Sequence, residues 1–269
     1  MPEIFDVYIP ASEIDRTYVY TIWRMQNMES RNLQGIIMPN GTAEIIFNFS
    51  DPIMYSLETT AKKTVLPSVF LSGVRFSPIR NEIVGREYLI GIQFNSLALK
   101  IMFGYSAKEF TNKIYDGLLI DTSLNELSEK LYAQKEFKKQ VEILISWFRK
   151  KVEKNGCQVS MNKMQQIVHN QRGRDLTVKK LSSKIFLSPR QLQRHANDWL
   201  GMCPDEYLMY NKFLHSITLI QEETHSLTDV ALKSGYYDQS HFIKEFREYT
   251  DMTPGQYRSI LSGDMGKIC

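Results

Sequence analysis

The chain of 269 residues is 43% hydrophobic and 23% charged with a net charge of +3, the balance of a folded soluble protein long enough for two cores. No stretch approaches the roughly twenty apolar residues of a membrane helix, and Met1–Pro10 lacks a basic-then-apolar secretion signal, so a cytoplasmic location is expected. Cys157, Cys203 and Cys269 are odd in number and far apart, which argues against a disulfide framework or a zinc knuckle.

The first hundred or so residues read as mainly β. Tyr18–Arg24, Ala43–Phe49, Val69–Phe76 and Tyr88–Phe94 are rich in Ile, Val, Phe and Tyr. Gly, Pro and Asn signals separate them, Pro39-Asn40-Gly41 being the clearest turn. Polar residues do not alternate strictly in Glu44–Phe49, so that strand is expected to be covered on much of both faces. Short strands without intervening helices argue for an antiparallel sandwich or barrel. Ser106–Phe110 reads as a short helix.

Residues 1–149 contain neither His nor Cys. A transition-metal site there is disfavoured, and a Ser–His or Cys–His nucleophile pair is excluded. No Gly-rich phosphate loop of Walker or dinucleotide type occurs. No catalytic residue, cofactor or metal is assigned. What remains for this domain is a small-molecule pocket, with Asn40, Glu44, Asn48, Arg75 and Gln93 as candidate effector-binding residues. Against it stands the plainer reading that Asn40 is turn chemistry and that Glu44 and Asn48 are strand-end or surface groups.

A helical connector follows. Ser123 with Glu126 forms a capping-box pattern, and Leu124, Leu127 and Leu131 share a face. A second helix is predicted from about Glu136 to Lys151, with Val141, Leu144, Ile145 and Phe148 as its apolar stripe. That stripe suits packing on the β domain or, alternatively, the seam of a homodimer. Asn155-Gly156 marks the boundary of the next domain. There Ser160 starts a helix, Met164, Ile167 and Val168 point inward, and Gly173 ends it. The expected division is residues 1–121 as a β-rich regulatory domain, 122–155 as the connector and 156–269 as an all-α domain.

Within that last domain one pattern occurs twice. Fifty residues apart, Leu192, Ala196 and Trp199 fall on Phe242, Phe246 and Tyr249, one apolar helix face in each copy. Met202, Pro204 and Tyr207 fall likewise on Met252, Pro254 and Tyr257. Upstream the offset is forty-nine, placing Ser182 on Ala231 and Phe186 on Gly235. Ser188, Pro189 and Gln191 form an N-cap, a first-turn proline and a capping box. With the apolar face inward, Arg190, Gln193, Arg194 and Asn197 face out. Their counterparts are Ser240, Ile243, Lys244 and Arg247, preceded by Gln239. Arg, Gln and Asn at the start of an exposed helix can pair with purine edges in a major groove. One such helix could be an ordinary solvated face; two in register argue for DNA binding. Residues 150–269 carry 17 Lys and Arg against 13 Asp and Glu, while residues 1–149 carry 16 against 17. This modest excess suits localised phosphate contacts.

The stretches LSPRQLQR (Leu187–Arg194) and ALKSGYYDQSHFIKEFREYTDMTPGQYR (Ala231–Arg258) resemble the DNA-binding domain of AraC/XylS-type bacterial transcription regulators. The resemblance runs from about Gly156 to Arg258. It implies two recognition helices joined by one long helix and entering successive major grooves. Carried over residue by residue, the base contacts would be Arg190, Gln193 and Arg194, then Gln239, Ser240 and Lys244. Three positions depart from the pattern: Phe186 replaces a usual Gly, Tyr237 a common capping Ser, and Lys212 a usual Arg. Asp238 could cap the second helix one residue later. PNGTAEIIFNF (Pro39–Phe49), Leu71-Ser72-Gly73 and GIQF (Gly91–Phe94) resemble an uncharacterised domain found ahead of such DNA readers.

The function these observations imply is that of a sequence-specific transcriptional regulator rather than an enzyme. The implied partners are double-stranded DNA, RNA polymerase, a small-molecule effector and a second copy of the chain. A different reading is an enzyme with its chemistry in the β domain, docked on DNA by the helices; the lack of His and Cys in residues 1–149 weighs against it. A plainer one is a constitutive DNA binder whose β domain only dimerises.

Overall fold

The β-rich first third becomes one antiparallel sheet. The computed structural model of the chain describes residues 4–57, 63–154, 164–168 and 177–261. Among these, eight strands pair: β1 (Ile4–Tyr8), β2 (Val19–Ile37), β3 (Ala43–Asn48), β4 (Ile53–Leu57), β5 (Thr64–Val65), β6 (Val69–Ser72), β7 (Ile79–Phe94) and β8 (Ile114–Asp116). Their order is β1-β2-β7-β3-β6-β8, with β4 on the other half of β7 and β5 beside β4. The predicted strands at Tyr18–Arg24 and Tyr88–Phe94 are thus halves of much longer ones. Polar stretches such as Arg24–Asn32 and Arg80–Glu87 hid the remainder, because one side of each is open to solvent.

A register shift in β2 between Asn27 and Arg31 bends the β2–β7 ribbon. The first half of β7 then pairs with β4 and the second half with β3. Ile53 and Ile83 from one half pack with Ile46, Phe70 and Leu89 from the other, which only a curled sheet allows. The result is barrel-like, as the short strands imply. The predicted strand from Val69 stops at Ser72, where Gly73 N–H turns to the Lys113 carbonyl.

The convex face carries Ile22, Ile45, Phe47, Leu71, Ile90 and Ile92 into a large core shared with helices. Those helices are α1 (Glu13–Arg16), α2 (Ser96–Phe103), α3 (Ala107–Phe110), α4 (Gly117–Ile120), α5 (Ser123–Ala133) and α6 (Phe137–Lys154). The stripe Val141, Leu144, Ile145 and Phe148 is buried here, with Phe148 against Phe94 and Tyr18. Packing on the β domain therefore consumes it, and it is not exposed as a dimer seam. Ser123 does not cap α5: it is the first helical residue, and its N–H donates to Asp121 Oδ1. The boundary at Asn155-Gly156, the Ser160 start and the Gly173 end lie outside the described residues. Met164 and Ile167, in a helical stretch at 164–168, are buried as expected and Val168 half-buried.

The C-terminal part is helical: α7 (Val178–Lys184), α8 (Pro189–Leu200), α9 (Pro204–Gln221), α10 (Leu227–Lys233), α11 (Gln239–Thr250) and α12 (Pro254–Leu261). Its core is continuous with that of the β domain. Thr111 Oγ1 donates to the Gly201 carbonyl at 2.8 Å, and Lys100 pairs with Asp198 at 2.8 Å, which fixes α8 against α2 and α3. Tyr210 Oη, from the middle of α9, donates to the Arg75 carbonyl at 2.7 Å and accepts from Gly41 N–H at 2.9 Å.

Candidate nucleic-acid interface

The duplication visible in the residues is repeated in the hydrogen bonds. Thr177 caps α7 by accepting from Lys180 N–H, and Ser226, forty-nine residues on, caps α10 by accepting from Asp229 N–H. Leu187 N–H reaches the Ser182 carbonyl at 3.1 Å, and Tyr236 N–H reaches the Ala231 carbonyl at 3.0 Å. Between helices the chain turns left-handed in both units, at Phe186 (φ 54°) and Gly235 (φ 85°). The second helices then begin at side-chain caps: Ser188 accepts from Gln191 N–H, while Asp238 accepts from His241 N–H at 2.7 Å. Ser188 also receives the reciprocal bond, its N–H donating to Gln191 Oε1 at 2.9 Å. Both helices end in left-handed residues, Gly201 and Asp251. The ordered caps fix where each helix starts, and so which side chains its first turns present.

The apolar faces lie inward as predicted. Leu192, Ala196, Trp199, Phe242 and Phe246 are buried, while Tyr249 is half-buried. Phe213 of α9 packs edge-on against Phe246 and tilted against Tyr249, with ring centroids 5.5 and 4.6 Å away, so the long helix carries the second unit on its aromatic face. Arg258 Nη2 closes the domain by donating to the His225 carbonyl.

On α8, Arg190, Gln193 and Arg194 are exposed; on α11, Ser240, Lys244 and Arg247 are. Ser240, Lys244 and Arg247 line one shallow groove with Ile243 and Glu248. Two of the sequence candidates are engaged with their own domain. Asn197 Nδ2 donates to the Gln193 carbonyl one turn back, and Gln239 Oε1 accepts from Thr228 on α10. Sequence reasoning passed over two aromatics at the mouths of these helices: Phe186 is 88% exposed and Tyr237 89%. The signal was present, since both replace smaller residues of the family pattern.

The effector candidates separate into different settings. Asn40 does turn chemistry, its Oδ1 accepting from Thr42 N–H and Oγ1. Asn48 Oδ1 accepts from Ser50 N–H. Glu44 and Gln93 face each other across β3 and β7, and Thr21 Oγ1 donates to Gln93 Oε1 at 2.7 Å. Trp23 lies over Gly91, where any side chain would strike its ring, and its Nε1 donates to Glu44 Oε1 at 2.5 Å. Burial pushes the Glu44 carboxyl up to about 7, against the lowering effect of the Trp23 and Gln93 bonds. Arg75 is apart from this row and is 7% exposed.

Two capped helix–turn–helix units on one long helix, behind a curled β domain, define a helix–turn–helix protein of two-domain build. Residues 181–260 match the helix-turn-helix domain family and residues 7–116 match a domain of unknown function, DUF6597. The chain therefore pairs a DUF6597 domain with a helix–turn–helix domain of the AraC type. Over 78 residues it is 31% identical to the HTH-type transcriptional activator RhaS of Citrobacter koseri, covering 29% of this chain and 28% of that one. Over 146 residues it is 25% identical to the activator RhaR of an Enterobacter species, covering 53% and 50%. The chain thus spans half or less of the length of these relatives. The fold is similar to that of ToxT from Vibrio cholerae, with a TM-score of 0.52 and 14% identity over 97% of this chain and 99% of that one. ToxT has also been solved bound to (E)-4-(8-methylnaphthalen-1-yl)but-3-enoic acid, with a TM-score of 0.51 to this chain and 15% identity over 96% and 99% of the two. Among the described residues no helix is long and apolar enough to cross a membrane.

Proposed function

We propose that this protein is a sequence-specific, DNA-binding transcription regulator in which α8 and α11 enter successive major grooves. The observation that carries this reading is the repeat of caps, left-handed turns and exposed faces in two units forty-nine to fifty residues apart. Arg190, Gln193 and Arg194, with Ser240 and Lys244, supply the base contacts, and Arg247 adds a phosphate or base contact from the same groove of α11. Phe186 and Tyr237 stand beside these faces as apolar and stacking contacts to the backbone or bases. Gln239 reaches a base only by leaving Thr228, and Asn197 only by leaving its own helix.

The β domain sets activity through a small-molecule effector, a reading supported by the acid-bound ToxT, which is similar in fold. RNA polymerase and a second copy of the chain are the further partners we infer. For the second copy the β1 edge is the better surface, because Ile4, Phe5 and Val7 are exposed on a terminal strand of the sheet.

The test is to map the genomic fragments retained by the purified full chain at a stated salt concentration. Two short sequence boxes about one helical turn apart are expected. Retention that depends on salt but shows no common motif would overturn base reading by the twin helices.

A further inference from the structure

At one matched position the second helices of the two units differ in kind. Gln193 on α8 is polar and exposed, whereas its counterpart on α11 is Ile243, a half-buried hydrocarbon. Ile243 lines the shallow groove of α11 together with Ser240, Lys244, Arg247 and Glu248. One turn separates it from Ser240 and one turn from Arg247, so it stands in the middle of the outward stripe. Packing does not explain it. Tyr249 and Met252, half-buried like it, pack on the core, and Ile243 does not. Helix propensity does not explain it either, because a β-branched residue is a poorer helix former than Ala, Gln or Lys at an outward position.

The major groove of a duplex presents hydrogen-bond donors and acceptors, and its one apolar group is the C5 methyl of thymine. An isoleucine pressed on any other base edge strips water from a polar atom and returns no hydrogen bond. Pressed on the methyl, it takes two apolar surfaces out of water together. We propose that Ile243 is a specificity-determining residue that reads one thymine through its C5 methyl. The inference rests on the reading of α11 as a base-reading helix, and it names what that helix requires. Ser240 and Lys244, on either side of Ile243 in the stripe, supply polar contacts to the neighbouring pairs. The two units therefore read by different chemistry. On α8 the contacts are hydrogen bonds from Arg190, Gln193 and Arg194; on α11 a methyl contact sits among polar ones. A duplicated scaffold of this kind recognises two unlike boxes rather than one box repeated.

The experiment uses the full chain and a synthetic duplex carrying the motif that the chain retains from genomic DNA, read by competition binding at fixed salt. Each thymine is replaced in turn by deoxyuridine, which deletes the C5 methyl and leaves the base pairing and the other groove atoms in place. One replacement should weaken binding about threefold to fivefold, the worth of one buried methyl group. Ile243→Ala should bind the thymine and uracil duplexes alike at that position and keep the wild-type response elsewhere. Cytosine there should bind poorly, and 5-methylcytosine should regain part of the loss because the methyl returns. A motif without thymine, no uracil effect at any thymine, or a uracil penalty that Ile243→Ala keeps in full overturns the proposal and leaves the regulator reading standing. Absence of any retained motif removes the regulator reading and this inference with it. The deoxyuridine series on the wild-type chain needs no variant, so it decides even if Ile243→Ala fails to fold.

Discussion

Lys100 Nζ lies 2.8 Å from Asp198 Oδ1 and 5.5 Å from the centre of the Trp199 ring, so one side chain of α2 grips the last turn of α8. The β domain therefore holds α8 by its C-terminal end and leaves the Arg190–Arg194 end exposed. Two contacts thus tie the β domain to the helices: this grip on α8 and the Tyr210 hydrogen bonds from α9.

The grip can be measured. Both groups are partly exposed, so the pair is worth about 0.5–1 kcal/mol, falling at high salt. A double-mutant cycle of Lys100→Ala and Asp198→Ala, read by denaturant unfolding, should give a coupling of that size. Zero coupling at low salt would mean that Trp199 packing alone positions the helix.

The two turns differ in one residue type at the same strained position. Phe186 at φ 54° pays the left-handed cost of a side chain that Gly235 at φ 85° avoids. Phe186→Gly is expected to raise stability by about 1 kcal/mol, and Gly235→Ala to lower it by about as much. Thermal unfolding of the two variants checks the sign of each. If Phe186→Gly also weakens DNA binding, the exposed ring is being used by the DNA.

The twin helix–turn–helix units were legible because their evidence is local. Caps, a 3.6-residue apolar period and turn residues all lie within a few positions of one another, and Ser188, Gln191 and Asp238 do what their chemistry dictates. The β domain was legible as an antiparallel sandwich or barrel, but the full length of β2 and β7 and the place where they bend were not. The polar inner halves of β2 and β7 break the apolar alternation, and the bend depends on a bulge that no residue type announces. The domain junction was invisible for a different reason. Tyr210 reads as one more aromatic on an amphipathic helix, and only folding brings its hydroxyl to Arg75 and Gly41, 135 and 169 residues away in sequence. Arg75 was a candidate by residue type; that its Nε and Nη1 are buried without a hydrogen-bond partner is a property of the fold alone.

Glu44 predicts a pH dependence of stability. Its carboxyl is pushed from 4.5 up to about 7 by burial. The folded state therefore holds the proton more tightly than the unfolded chain. This contribution is full below about pH 4.5 and is lost as pH rises through about 7. The loss is on the order of 3 kcal/mol over that window. Glu44→Gln keeps an acceptor for Trp23 Nε1 and removes the proton, so its unfolding free energy should lack this slope. An unchanged slope in the variant assigns the titration to another group.

The proposed DNA contacts give the sharpest separation between neighbouring residues of one helix. Arg194 is exposed, whereas the Asn197 amide is bonded to its own helix at 3.0 Å. Arg194→Ala should lose discrimination at one base position, costing about 1–3 kcal/mol there and little elsewhere. Asn197→Ala should change affinity by well under that, because its amide is already satisfied. On α11, Lys244→Ala should weaken all sequences alike if Lys244 meets a phosphate, with the salt slope reduced by about one. Competition binding with operators varied one base pair at a time, at two salt concentrations, separates these outcomes. A uniform loss for Arg194→Ala would move it from the bases to the backbone. A position-specific loss for Asn197→Ala would show that the amide leaves Gln193 when DNA arrives.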